Sequence, residues 1–289
     1  MRQRNTRLNV FIYGFIALTV IAGVAVLNAP KILNLLGFHR HYEIPPFDLR
    51  GKRALVVTTS HNTLQDLDNP EKATKPTGVA GSEMTIPYYA FLDAGLEVDL
   101  ASIKGGEIPV DPITFKWPIA AGEDYRFQKD TAAMNKLKSS IPIADIQLEK
   151  YDVIFLSGGW GAAYDFEQSK RLAELVTEAN ARKLVIGSVC HGALGLVNAK
   201  DVDGSILVKG RKVTGVTNKQ LKDFGIFFTP RHPETELRKA NAMFESKTEW
   251  LDFFATHVVV DGNLVTGQNQ NSSGEASHRI LEMVSQKAK

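Results

Sequence analysis

Residues 184–195 read LVIGSVCHGALG, and the change of character within this stretch decides the fold. Residues 184–189 are apolar or small and predict a buried strand. Cys190, His191 and Gly192 follow, where a helix is predicted to begin. A nucleophile at such a corner forms an elbow, which lifts the side chain out of the sheet beside free backbone N–H groups. The positive end of the helix dipole favours a thiolate here, and His191 is an adjacent base.

Cys190 is the single cysteine of the chain, so neither an intrachain disulfide nor an all-cysteine metal site can form. An isolated cysteine is frequently a small buried hydrophobe without a chemical role. Here the preceding strand, the flanking Gly187 and Gly192, and the adjacent His191 favour a reactive nucleophile over that alternative.

Strands and helices alternate on both sides of this corner. The predicted strands are residues 53–59, 97–102, 151–157, 184–189, 212–215, 257–260 and 264–266, and the predicted helices are residues 82–94, 168–180 and 273–286. Because near-continuous apolar strands alternate with helices, the sequence predicts an α/β fold with a doubly wound, mainly parallel sheet covered on both faces. Ligands of such sheets bind beyond the carboxyl ends of the strands, which is where Cys190 is predicted to lie.

Two further groups are predicted to reach the same edge of the sheet. Glu83 begins the helix after the first strand, where its carboxyl could hydrogen-bond the thiol or could only complement the helix dipole. The loop 158–161, which reads GGWG, follows the strand 151–157. Backbone N–H groups of Gly159, Trp160 and His191 could stabilise an oxyanion there, although turns also require glycine.

Together, Cys190-His191-Gly192, the GGWG loop and Glu83 resemble the PfpI superfamily, which has the class I glutamine-amidotransferase-like fold. Residues 87–112, PYYAFLDAGLEVDLASIKGGEIPVDP, resemble its heat-shock chaperone and glyoxalase III branch more narrowly. The resemblance covers residues 52–288. It implies a flavodoxin-like sheet, with Cys190 as nucleophile, His191 as base and Glu83 as the acid that contacts the thiol.

The resemblance also implies a range of activities. They are the glutathione-independent conversion of methylglyoxal to lactate, deglycation, small-peptide or amide hydrolysis, and holdase chaperoning. In many members of the branch an acidic residue after the next strand orients the histidine, and Asn218 stands at that place here. An amide can hold a ring nitrogen but cannot stabilise an imidazolium by charge. Asn218 is therefore the candidate histidine-orienting residue, and Glu83 is expected to be the main proton carrier.

His232 and Glu234 form a His-x-Glu pattern, which true glutaminases of this fold use instead of a histidine beside the cysteine. Those enzymes also place a glutamine shortly after the nucleophile, and residues 193–196 contain none. The segment more simply opens a helix running from Glu234 towards Glu245. His232 and Glu234 are therefore lesser candidates for the site.

The N-terminal residues differ from the rest. Residues 1–7 are basic, with Arg2, Arg4 and Arg7, and residues 8–27 carry no charge. Twenty such residues can cross the ~30 Å hydrocarbon core of a bilayer as a helix. The arginines predict a cytoplasmic N-terminus, with a linker at residues 28–50 and an extracytoplasmic domain at residues 51–289. The alternative is a cleaved signal peptide and a secreted domain.

The net charge of +2 gives no reason to expect a nucleic-acid partner. His39, His41 and His61 lack ligand spacing, so neither a metal nor another cofactor is predicted, and His257 is expected to be structural. Side chains that could shape a pocket are those of Trp160, Trp117, Tyr88 and Phe227.

The sequence predicts a membrane-tethered cysteine enzyme that acts on a small carbonyl or amide compound, with a glyoxalase III-like reaction first. A non-enzymatic holdase or redox-sensing module on the same fold is the alternative, and a glutaminase is a third. A homodimer is compatible with each of them.

Overall fold

The computed structural model describes residues 2–39, 42–72, 74–248 and 255–287, and for residues 2–11 the backbone alone. His41, one of the histidines without metal-ligand spacing, lies outside the described residues. The chain forms two compact units, Met1–Arg40 and His41–Lys289. The predicted linker 28–50 is therefore divided between them. In the second unit, Leu49 is buried and donates its N–H to the carbonyl of Ala94 at 2.8 Å.

The first unit consists of two helices, α1 (Arg2–Leu27) and α2 (Ala29–Leu35). Among the described residues, no one helix has both the length and the apolar composition needed to cross a bilayer. Ile12–Leu27 and Ala29–Leu35 meet these criteria only as a pair, with a bend of 66° between them. The membrane anchor predicted at residues 8–27 therefore stays a prediction.

The second unit is built on a sheet of seven strands, in the order β10-β11-β7-β6-β1-β4-β5. The strands of the unit are β1 (Arg53–Thr58), β2 (Thr63–Leu64), β3 (Lys75–Pro76), β4 (Glu97–Ser102), β5 (Ile141–Pro142), β6 (Val153–Leu156), β7 (Val185–Val189), β8 (Lys212–Val213), β9 (Met243–Phe244), β10 (Val258–Asp261) and β11 (Leu264–Gly267). All neighbours in the large sheet are parallel except β10 and β11, which pair antiparallel as a hairpin. The mainly parallel sheet is confirmed.

Helices cover both faces of this sheet. They are α3 (Gly81–Asp93), α4 (Gly122–Lys129), α5 (Thr131–Lys138), α6 (Ala162–Asp165), α7 (Lys170–Ala181), α8 (Asn218–Asp223), α9 (Pro233–Lys239) and α10 (Ser273–Lys287). Side chains alternate along β1, so Leu55 packs in the core beneath α7 and Val56 in the core beneath α3 and α10. Burial of both strand faces explains why the sequence reads as continuous apolar runs.

The structure corrects three predicted elements. Residues Cys190–Leu196 form a 3₁₀ helix rather than the first turns of an α-helix. The strand predicted at 212–215 ends at Val213 and pairs with β9 in a separate two-stranded sheet. The helix predicted to run towards Glu245 ends at Lys239, and Met243–Phe244 is extended.

Candidate active site

Cys190 lies directly after β7, between the ends of β6 and β11. Its φ of 57° is in the left-handed region, which costs an L-residue roughly 1–2 kcal/mol. This backbone turn separates the strand from the 3₁₀ helix and keeps the side chain at the carboxyl edge of the sheet. The sulfur is nevertheless well covered, since only 8% of the residue is exposed.

Glu83 reaches this sulfur from the first turn of α3. Its carboxyl is hydrogen-bonded to the Cys190 thiol and is 2% exposed. Burial in a region of low dielectric raises the pKa of Glu83 to about 8, because it disfavours the carboxylate. The Oε2 atom is buried and has no hydrogen-bond partner among the described residues.

Burial also raises the pKa of the Cys190 thiol, and the nearby Glu83 carboxyl raises it further. The backbone N–H groups of His191 and Gly159 donate to Sγ and oppose this shift. The prediction that the helix dipole favours a thiolate is wrong for the resting site, because desolvation and a neighbouring acid outweigh the two N–H groups. In this state Cys190 is a thiol.

The loop between β6 and α6 depends on glycine. A Cβ on Gly158 would meet Oε2 of Glu83 and would lie 2.8 Å from the Cβ of Cys190. Gly159 has a φ of 105°, and a Cβ there would collide with the backbone of Gly78 and Ala80. The loop can therefore approach the thiol closely enough for the Gly159 N–H to donate to it.

His191 is completely buried beside the cysteine. Its Nδ1 atom lies 3.5 Å from Sγ of Cys190, and its Nε2 atom has no partner in the described part of the chain. Burial is the main cause that lowers the pKa of His191 to about 3, so the ring is neutral. The indole of Trp160 stands edge-on to this ring with centroids 5.1 Å apart. Trp160 therefore contributes its ring to the site, whereas the N–H groups on Sγ are those of Gly159 and His191.

Asn218 does not orient His191, which corrects the prediction. Its Nδ2 donates to Oγ1 of Thr235 at 2.9 Å, and the Thr235 hydroxyl makes a 3.1 Å contact with its Oδ1. Its backbone N–H donates to Oε2 of Glu234 at 2.8 Å. Both side-chain ends of Asn218 therefore fasten α8 to α9, and the side chain is used for structure.

The His-x-Glu pair is separated in the structure. Glu234 accepts hydrogen bonds from the N–H of Asn218 and from Arg238, and it does not pair with His232. The His232 ring lies against Phe227 with centroids 4.1 Å apart, and its charge affects the pKa of His191. His232 therefore lies near the site, and Glu234 contacts neither His232 nor the thiol.

The other aromatic candidates are divided. Tyr88 packs edge-on against Tyr89 and Phe127 in the core and does not line an open surface. Trp117 is half exposed on the segment before α4. Phe224, which was not predicted from the sequence, contacts Trp160 with centroids 5.8 Å apart. Phe224 lies at the end of a helix of six residues, which is too short to show a periodic apolar pattern.

Metal chemistry has no candidate centre within the residues that the structure describes, since they include no group of three His, Cys, Asp or Glu side chains able to hold an ion. His61 stacks on Tyr164 with centroids 4.1 Å apart, and His257 faces Glu245 at 3.8 Å.

Known proteins include relatives of this chain in both sequence and fold. The chain is 30% identical over 217 residues to the glutathione-independent glyoxalase hsp3101 of Schizosaccharomyces pombe, covering 72% of this chain and 87% of that protein. The crystal structure of Rapid Encystment Protein 24 KDa of Francisella tularensis superposes with a TM-score of 0.73 at 32% identity, covering 81% and 99% of the two chains. That of glyoxalase III from Candida albicans gives a TM-score of 0.67 at 25% identity, covering 81% and 97%. Residues 75–283 match the model of the DJ-1/PfpI family. The buried cysteine elbow and its acid partner are therefore features of a chain that belongs to the DJ-1/PfpI family.

Proposed function

We propose that this protein is a glutathione-independent glyoxalase that converts methylglyoxal, a 2-oxoaldehyde, to lactate. The observation that carries the proposal is the placement of one thiol between two proton carriers. Sγ of Cys190 is hydrogen-bonded to the Glu83 carboxyl and lies 3.5 Å from Nδ1 of His191. The glyoxalase names of the relatives from Schizosaccharomyces pombe and Candida albicans support the same reaction.

The first step forms a bond between Sγ and the aldehyde carbon. Since Cys190 rests as a thiol, its proton must leave during the attack, and Nδ1 of His191 is placed to carry it to the carbonyl oxygen. We assign the stabilisation of the developing oxyanion to the N–H groups of Gly159 and His191, which donate to Sγ at rest. The product of this step is a hemithioacetal.

The second step moves a proton between neighbouring carbons. Glu83 first releases its own proton to solvent, and its carboxylate then takes the proton from the hemithioacetal carbon and returns one to the former ketone carbon. The hydroxyl proton passes from the first oxygen to the second, so the first carbon is oxidised and the second reduced. A carboxyl with a pKa of about 8 gives a stronger base than an exposed one and still carries a proton at neutral pH. Water then cleaves the thioester, which releases lactate and restores the thiol, so no external oxidant is consumed.

The test follows methylglyoxal loss and lactate formation without glutathione, for the wild type and Cys190→Ala in deuterated water. We expect lactate from the wild type alone, with deuterium on carbon 2, because the proton on Glu83 exchanges with solvent. Full turnover by Cys190→Ala, or no lactate from the folded wild type, would overturn the proposal. Lactate without deuterium would show that the transferred proton reaches carbon 2 without exchanging with solvent.

The non-enzymatic alternatives are less well supported. A redox sensor needs a readily formed thiolate, and burial together with Glu83 raises the pKa of the Cys190 thiol. Aggregation suppression that is unchanged in Cys190→Ala, with no turnover in the wild type, would favour a holdase. A glutaminase would need Glu234 to act with His232, and Glu234 is bound to Asn218 and Arg238.

The proposal includes a location. The uncharged residues 8–27 after Arg2, Arg4 and Arg7 support a single membrane span with the enzyme domain outside the cytoplasm. Carbonate extraction and protease protection of the full chain test this arrangement. Retention of an intact chain in the membrane is expected, whereas release of the protein with a new N-terminus would indicate a cleaved signal peptide.

A further inference from the structure

The Nε2 atom of the His191 ring lacks a hydrogen-bond partner within the described residues. His191 is 0% exposed, and its Nε2 atom is buried. A buried polar nitrogen without a partner is unfavourable, and native structures rarely leave one unless it has a function or an ordered water. Asn218, at the position predicted to serve this nitrogen, is bonded to Thr235 instead. Another group must therefore hold the ring in place.

His232 lies on the element packed behind this ring. It directly precedes α9, which packs against the 3₁₀ helix that carries His191. Gly215 lies between the start of the 3₁₀ helix and the start of α9, and the distance between these two elements is small. A Cβ on Gly215 would lie 3.1 Å from the carbonyl oxygen of Cys190 and 3.2 Å from the Cβ of Pro233. The Nε2 atom of His232 is also buried and has no partner among the described side chains and backbone.

The hydrogen bonds of His232 and the proposed proton-accepting role of His191 give the two rings complementary tautomers. The His232 ring donates to the backbone of Thr229 and Phe227, and because its Nε2 has no partner these bonds belong to Nδ1. Nδ1 of His232 therefore carries the hydrogen, and its Nε2 is an acceptor. In His191, Nδ1 faces the thiol of Cys190 and must be free to accept its proton, so Nε2 carries the hydrogen and is a donor.

We propose that His232 is the positioning residue of His191, accepting a hydrogen bond from its Nε2–H through one bridging water. This inference rests on the proposed function, in which His191 moves the thiol proton. His232 keeps Nδ1 of His191 unprotonated and aimed at Sγ. When His191 takes up the proton, neutral His232 remains an acceptor for the imidazolium.

The arrangement depends on the charge of His232. Burial lowers the pKa of His232 below its ordinary value of 6.5. Glu236 raises it and Lys239 lowers it from the same helix, while Lys222 lies over the Phe227 ring at 5.0 Å and His191 faces it from the 3₁₀ helix. His232 is therefore neutral at pH 7. As the pH falls through its pKa, Nε2 becomes protonated and the acceptor is lost.

The first test observes the tautomer without any substrate. In the full wild-type chain labelled with ¹⁵N-histidine, the shifts of His191 should show hydrogen on Nε2 at neutral pH. His232→Gln can still accept through its amide oxygen and should keep that tautomer, whereas His232→Phe should give a mixture. His257→Gln is the matched control, because His257 is also a half-buried histidine with an unpartnered Nε2 in the described structure. Hydrogen on Nδ1 of His191 in the wild type would overturn the proposal, even if His232→Phe does not fold.

The second test measures iodoacetamide alkylation of Cys190 and methylglyoxal turnover as functions of pH. We expect His232→Phe to lower kcat about 10²-fold, the lower end of what a general base contributes, with KM nearly unchanged. His232→Gln should recover most of kcat and lose the acid limb that His232 gives the wild type. Equal behaviour of His232→Phe and His257→Gln would reject the role. If the wild type shows no glyoxalase turnover, the ¹⁵N and alkylation results still decide on His232, so the two failures are distinguishable.

Discussion

The carboxyl of Glu83 and the thiol of Cys190 share a buried hydrogen bond between the first turn of α3 and the end of β7. Burial and the Glu83 carboxyl both raise the free-energy cost of ionising Cys190. The hydrogen bond with Cys190 lowers the cost of ionising Glu83, but burial outweighs this and keeps the pKa of Glu83 at about 8. The pair therefore retains its protons at rest and releases one only when substrate arrives to receive it. This resting state differs from that of a nucleophile elbow whose cysteine is already a thiolate before substrate binds.

Glu83→Gln separates thiol acidity from catalysis. The amide removes the carboxylate that raises the pKa of Cys190, so thiolate absorbance should appear at lower pH than in the wild type. Methylglyoxal turnover should nevertheless fall about 10²- to 10⁴-fold, because the carbon-to-carbon proton carrier is missing. Glu282→Gln, on the outer part of α10, is the control and should change neither quantity. Retained turnover in Glu83→Gln would remove Glu83 from the mechanism.

Gly159→Ala should disrupt the loop that donates to Sγ. The new Cβ would collide with the backbone of Gly78 and Ala80, so the N–H must move away from the sulfur. Loss of one such donor typically lowers kcat about 10²- to 10³-fold. Gly204→Ala is the matched control, since Gly204 also has a positive φ, of 82°, but its Cβ would have nothing within 4 Å. Gly204→Ala should be less stable by about 1–2 kcal/mol and should keep full activity. Equal kcat losses in both variants would contradict a role of the Gly159 N–H in catalysis.

Asn218→Ala should spare catalysis and weaken the fold. Its side chain bonds to Thr235, so the expected cost is about 1 kcal/mol in the free energy of unfolding, with kcat unchanged. Thr235→Val removes the same contact from the other side, and the double variant should lose little more than either single one. A large fall in kcat for Asn218→Ala would restore the histidine-orienting role predicted from the sequence.

Stability should decline as the solution becomes more alkaline because of a second buried acid. Asp124 is 0% exposed, and burial raises its pKa to about 7 from 3.8. The folded state therefore binds a proton that the unfolded chain has lost, so stability falls as pH rises from about 4 to about 7. The shift corresponds to about 4 kcal/mol at most. Glu83 acts in the same direction up to its pKa of about 8.

Denaturant unfolding between about pH 5 and about pH 8 tests this dependence. Asp124→Asn should flatten the decline while lowering stability overall, because Asp124 accepts from both Thr85 and the N–H of Ala121 and an amide nitrogen cannot accept. The exposed acid Glu107 supplies the control, and Glu107→Gln should leave the slope unchanged. An identical slope in wild type and Asp124→Asn would show that Asp124 is ionised in the folded protein.

The central strands of the sheet could be predicted because each is marked by its own short stretch of sequence. The strands β1, β6 and β7 are runs of mostly apolar or small residues whose burial on both faces leaves a direct mark on the sequence. Helices α4 and α5 were missed, since α4 reads GEDYRFQK and buries only Asp124 and Phe127. Such a short, charged helix is stabilised by its packing against α3 rather than by a periodic pattern.

The residues of the candidate site could be predicted from the sequence, but the protonation state of its thiol could not. Cys190, His191 and Glu83 follow strand ends, and parallel strands bring such positions to one edge of the sheet. The state of the thiol depends on desolvation, which is a property of the packed fold. The partner of Asn218 is also set by packing, because Thr235 comes from another helix.

Helix α10 determines when, during synthesis of the chain, the site can assemble. It packs against both α3, which carries Glu83, and β7, which leads to Cys190, and its Ile280 and Leu281 are fully buried there. Because α10 follows every other described element in the chain, it is the last of them to emerge during synthesis. We therefore expect a nascent chain to have no reactive cysteine centre until α10 has left the ribosome. Acquisition of activity would then report the emergence of α10.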